Sequence, residues 1–178
     1  MGVLTDYFRA PDAAVVVRAL ELTGGGRPDF DDGTGSGSGA GSGSGSGSGF
    51  DGVAAKRVDP AIVLGRLVAA VRREEWQPDT VAESPVWPTT PQPGPGGPVG
   101  EDDPWASGPW VTELGDAVRD TLAGVPDERV PEVVGQWALA QEWNGADPSD
   151  LLPLAEELIG LARRARAAGE RLYCWICL

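Results

Sequence analysis

The sequence contains no histidine, one lysine (Lys56), one methionine and two cysteines. Without an imidazole, Ser-His-Asp and Cys-His nucleophile systems, histidine general bases and histidine metal sites cannot be assembled from this chain alone. Long apolar runs are missing too. No stretch approaches the roughly 18 to 20 residues of a membrane helix, and MGVLTDYFRA lacks the basic start and apolar core of a signal peptide, so the expected setting is the cytoplasm, away from membranes. Neither the GGG near residue 24 nor the Gly-Ser run forms GxGxxG or GxxxxGK[ST] between a strand and a helix, which removes the standard nucleotide-binding motifs.

What is present is acid. Across 178 residues, 14 basic side chains face 27 acidic ones, a formal charge of −13. Such a surface repels phosphate backbones, so nucleic acid is not expected as a partner, whereas a basic protein is. The one basic cluster, Arg163, Arg164, Arg166 and Arg171, falls at the C-terminal end of a helical pattern, where cations oppose the helix dipole. The apolar fraction of 41% matches a folded globular chain, and the length suits one domain.

Two segments have no core of their own. Gly33 to Gly49 is almost entirely Gly and Ser and reads as a flexible insert, with a span of about 20 to 25 Å for a free chain of that kind. Pro88 to Pro109 is rich in Pro and Gly, and reads as an extended connector. It carries PxxP spacings such as Pro88 to Pro91.

The remainder is periodic. Helices are expected from Pro11 to Gly24; from Asp59-Pro60 to about Glu74; from near Thr112 to Ala123, ahead of Gly124; from near Asp127 through Trp137; and from Asp147-Pro148 to Ala168, ahead of Gly169. VLTDYF near the start and RLYCWICL at the end are rich in β-formers, and TVAESPVW (80–87) reads as an edge strand weakened by Pro85. The last run is apolar at nearly every position, as in a strand covered on both faces. The expected fold is therefore α+β, with about five helices packed around a small sheet formed by the N- and C-terminal strands and interrupted by the two linkers.

Cys174-Trp-Ile-Cys177 is a CxxC. In thiol oxidoreductases such a pair opens a helix, whose dipole activates the first thiol. Here the chain ends one residue later, and on a strand the two side chains point to opposite faces, so both sulfurs are expected to be inert core. No CaaX box is formed, because Trp175 stands fourth from the end. The carboxylate neighbours Glu74-Glu75, Glu101 to Asp103, Asp147 with Asp150, and Glu156-Glu157 read as caps, first-turn residues or solvated charge. DFDDG (29–33) lacks the later ligands of a calcium loop. No catalytic residue, cofactor or metal is predicted.

Seven tryptophans are many for this length. Trp137 and Trp175 fit core patterns. Trp76, Trp87, Trp105 and Trp110 border the connector and are expected to pin it. Trp143 lies in a short interhelical loop with Asn144, Asp147 and Asp150. An aromatic anchor with a polar rim on such a loop resembles a binding hot spot, so these four residues are the candidate interaction site; an indole that merely staples the loop to the core is the plainer reading.

Three stretches, MGVLTDYFRA, GFDGVAAKRVDP before an apolar helix, and ARRARAAGERLYCWICL, resemble a group of small actinobacterial proteins, with a fainter similarity to the YfbM-like family. The resemblance implies a small cytoplasmic α+β domain and carries no catalytic residues. The functional expectation is a non-enzymatic, acidic interaction module, as immunity proteins and antitoxins are. Thiol- or carboxylate-dependent catalysis and a structural subunit whose C-terminal strand completes a partner's sheet are the competing classes.

Overall fold

The two ends of the chain meet. In the computed structural model, which describes residues 4–31, 49–98, 100 and 103–178, β1 (Leu4–Ala10) and β6 (Arg171–Cys177) run antiparallel in full register from Leu4 opposite Cys177 to Ala10 opposite Arg171. Most of the Gly-Ser tract, 33–48, lies outside the described residues, as do Glu101 and Asp102. The fold is α+β: among the described residues, six helices with a sheet in which β1 and β6 are inner strands.

The sheet is larger than the sequence suggests. β3 (Phe50–Ala54) pairs with the other edge of β1, and β5 (Trp110–Leu114) with the other edge of β6; β4 (Glu83–Trp87) closes that side, so five strands lie antiparallel in the order β3-β1-β6-β5-β4. The two-residue β2 (Phe30–Asp31) adds to β3 in parallel. TVAESPVW is an edge strand as expected, and Pro85, which cannot donate to a ladder, sits within it.

One helix boundary moves. The run from Thr112 to Ala123 divides at Gly115, with Thr112 to Leu114 in β5 and only Asp116–Ala123 forming a helix, α4 in chain order. Val111 and Thr112 pair with Trp175 and Cys174, and the register they complete outweighs the local helical spacing. The other helices follow their punctuation. The first, α1 (Ala13–Leu22), is capped by Asp12, whose carboxylate accepts from the Val15 amide. α2 (Gly65–Arg72) is preceded by a π-helical turn, Pro60–Leu64, capped by Asp59. A short helix that the sequence does not announce, α3 (Pro104–Ser107), lies in the connector. α5 (Val130–Trp137) follows a 3-10 turn at Asp127–Arg129, and α6 (Pro148–Ala168) is capped by Asp147 and ended by Gly169 at φ 68°.

Because side chains alternate along a strand, the sheet divides two cores. Tyr7, Leu114, Leu172 and Cys174 face α2, α4 and α6, over which α5 packs. Phe8, Val111, Tyr173 and Trp175 face α1 with Val16 and Leu20. Asp6, only 4% exposed, would be a costly buried charge on the α1 side, but Arg27 binds it with two nitrogens, at 2.5 and 2.9 Å, and lies over the Phe30 ring.

The basic cluster is used inside the fold. Arg164 grips Asp51 with two nitrogens and Arg9 binds the same carboxylate, which holds Asp51 below the usual carboxylate range, Arg164 contributing most. Arg163 and Arg166 donate to the carbonyls of Val125 and Ala123 behind α4, and Arg171 pairs with Glu113. Among the described residues nine arginines form ion pairs, with Asp6, Asp51, Glu113, Asp116, Asp120, Asp127, Glu132, Glu142 and Glu170. Among the described residues no helix is long and apolar enough to cross a membrane.

Candidate interaction site

The site is built around the π-helical turn before α2. A π turn displaces main-chain carbonyls from the regular α pattern, and such carbonyls need other donors. Two indoles supply them: Trp137 Nε1 donates to the Val63 carbonyl at 2.8 Å and Trp76 Nε1 to the Ala61 carbonyl at 3.1 Å. Trp76 therefore pins the turn and not, as the sequence suggests, the connector. It approaches so closely that a β-carbon at Gly65 would stand 2.8 Å from its Nε1, which explains a glycine at the start of α2. Arg66, one residue on, lies over the Trp76 ring at 4.8 Å and pairs with Glu142 at 2.9 Å. Burial pushes the Glu142 carboxyl up, but its own backbone amide and Arg66 outweigh that and hold it below the usual range.

Glu142 belongs to the 3-10 turn Gln141–Trp143 between α5 and α6, so this ion pair ties the predicted loop to α2. Trp143 meets the buried Trp137 edge to face, with centroids 4.8 Å apart, and packs on the larger core while remaining half-buried. The stapling role foreseen for it is thus part of the geometry. Its Nε1 is buried and has no hydrogen-bond acceptor among the described residues, although an indole nitrogen can only donate. Asn144 turns the chain at φ 49° and Gly145 at φ 78°, and both are exposed. The Asp147 carboxylate accepts from the amide and hydroxyl of Ser149 at 2.8 and 2.7 Å, which holds it below the usual range, and Asp150 is exposed in the first turn of α6. Leu139, at the far end of the same connection, is 76% exposed.

The structure places Trp143, Asn144, Asp147 and Asp150 along the turn that leads from α5 into the start of α6. It adds Trp76, Arg66 and Glu142, which the sequence analysis missed. Their signal was only a π turn that local spacing does not reveal, and a contact between positions 66 and 142.

The other chemistry the sequence offered is distributed differently. Cys174 is buried beside Tyr7, its cross-strand partner, on the α2, α4 and α6 side; Cys177 packs among the α1-side residues, so no disulfide joins the two sulfurs. Burial pushes the Cys174 thiol well up, and Tyr7 is pushed up by the same cause while its hydroxyl donates to the Val58 carbonyl. A thiol reagent is expected to modify one cysteine per native chain, Cys177, and both in denaturant. Rapid native modification of Cys174 would contradict this placement. No group of three metal-ligating side chains converges among the described residues.

Glu83 stands at the β4 edge, where Thr112 Oγ1 donates to it at 3.0 Å. The residue is exposed, so solvent screens the effect, but the protein packed around it raises its carboxyl pKa against the lowering effect of Thr112, and Asp59 adds to the rise. A carboxyl raised in the folded state stabilises most when protonated, below its unfolded value of about 4.3, and that contribution is lost as pH rises through the folded value. Glu83→Gln is therefore expected to raise the thermal midpoint at pH 7 and to leave it nearly unchanged at pH 3.5. A lowered midpoint at pH 7 would reverse the sign.

Compared with known proteins, the chain matches no family model, no curated protein and no solved structure.

Proposed function

We propose that this protein is a non-enzymatic binding module that receives a basic protein partner on the surface around Trp143, in the manner of small acidic immunity proteins and antitoxins. The observation that carries the reading is the Trp143 indole: half-buried, seated edge to face against Trp137, and flanked along the chain by the exposed Asn144, Asp147 and Asp150. Tryptophan and arginine in a well-packed setting surrounded by polar residues are the composition of energetically dominant contacts.

Charge supports the sign of the partner. With nine arginines engaged in ion pairs among the described residues, exposed acids such as Glu74, Glu75, Asp150, Glu156 and Glu157 dominate the outer field. Such a field steers a cationic protein toward the surface and weakens as salt screens it, over about 10 Å at 0.1 M. The burial of Cys174 and the separation of the two sulfurs count against the thiol-enzyme alternative.

The test is affinity capture from host lysate with the full chain and with Trp143→Ala. The expected result is a basic protein released by raising the salt, with at least tenfold weaker retention on the variant. Capture of no basic protein, retention indifferent to salt, or equal retention by the variant would overturn the reading.

A further inference from the structure

β4 and β5 are antiparallel neighbours, a pairing that two to five residues can connect, yet residues 88–109 intervene between them. The excursion is closed at its neck. Pro88 is buried beside Trp87, and Trp105 of α3 donates from Nε1 to both the carbonyl and the hydroxyl of Thr90, at 3.2 and 3.1 Å. Asp103 accepts from the Trp105 amide and fixes that turn. Both limbs are thereby held, and the stretch between them is presented outward: Pro91, Gln92, Gly94 and Pro95 are exposed, and Pro93 is half-buried.

That stretch is restricted residue by residue. From Thr90 to Pro95 every position is either a proline, with φ fixed near −65°, or the residue before one, which sterics push to extended backbone. Prolines bring no amide donors, so the segment is unsuited to joining a sheet. Within 91–98 the backbone hydrogen bond present is Gly97 to Gly94. An extended, donor-poor strand whose entropy is already spent is the form that aromatic-lined grooves recognise.

We infer that residues 89–95, ahead of the turn that Gly97 closes onto the Gly94 carbonyl, are a second docking element, presented as a preformed polyproline-type ligand for a partner domain with an aromatic groove and a basic rim. The rim follows from charge: the excursion carries no lysine or arginine and includes Glu101, Asp102 and Asp103. A groove that reads a cation beside the prolines finds none here. This element is independent of the Trp143 surface, and either can fail alone.

The probe is a WW domain of net positive charge, titrated into the 15N-labelled full chain. Saturable shifts confined to 89–95, foremost at the Gln92 and Gly94 amides, are expected. A chain carrying Pro91→Ala, Pro93→Ala and Pro95→Ala together is expected to bind at least tenfold more weakly with an unchanged thermal midpoint, and Trp143→Ala to bind as the wild type does. No shift at millimolar WW domain, shifts that survive the triple substitution, or shifts centred on the Trp143 loop would each overturn the inference.

Discussion

Trp137→Ala is expected to destabilise the protein by about 3 to 5 kcal/mol, the cost of emptying a large core site that can relax only in part. Trp137 is 1% exposed and performs two tasks. Its ring fills the space between α5 and the π turn and supports the edge of Trp143, and its indole satisfies the Val63 carbonyl. Trp137→Phe separates the tasks, because it keeps most of the volume and removes the donor. It is expected to cost about 1 to 3 kcal/mol, the penalty of one buried acceptor left without a partner. Denaturant titration measures both. A phenylalanine variant as stable as wild type would show that the π turn does not depend on that hydrogen bond.

Phe8→Ala is expected to cost a similar amount, about 3 to 5 kcal/mol, on the opposite face of the sheet. Phe8 is fully buried, with Tyr173 stacked at 5.5 Å, Phe50 at 4.9 Å and Phe30 at 5.7 Å. This second core is small, and α1 is the helix that covers it, so few other side chains can close the gap. Near-ultraviolet circular dichroism and the unfolding midpoint report the loss. A drop below about 1 kcal/mol would mean that the site collapses freely, contrary to close packing.

Caps and alternation made much of this architecture legible. Asp12, Asp59 and Asp147 stand immediately before helical segments and accept from their first amides, and Gly169 ends α6 where a left-handed residue is required. The unbroken apolar run at the C-terminus identified an inner strand, and the three-residue spacing of Cys174 and Cys177 already placed them on opposite faces. The strands missed were those whose stability is not local. β3 is a five-residue stretch containing Gly52, where a β-carbon would stand 2.6 Å from the Phe30 ring, and glycine in a strand carries no local signal. β5 was absorbed into a helix because only its partners in β6 and β4 make it a strand. The candidate site was half visible. Trp143, Asn144, Asp147 and Asp150 adjoin in sequence, whereas Arg66 and Trp76 reach them only through the π turn and the contact with Glu142.

The functional reading depends on β6 being interior, since a loose tail would free both sulfurs and offer a strand to a partner. Native-state hydrogen exchange of residues 172–176 tests this most directly. With β1 and β5 on either side, these amides are expected to exchange only through global unfolding, with an opening free energy equal to the unfolding free energy from denaturant titration. Exchange of those amides within minutes, while β1 and α6 stay protected, would contradict the account.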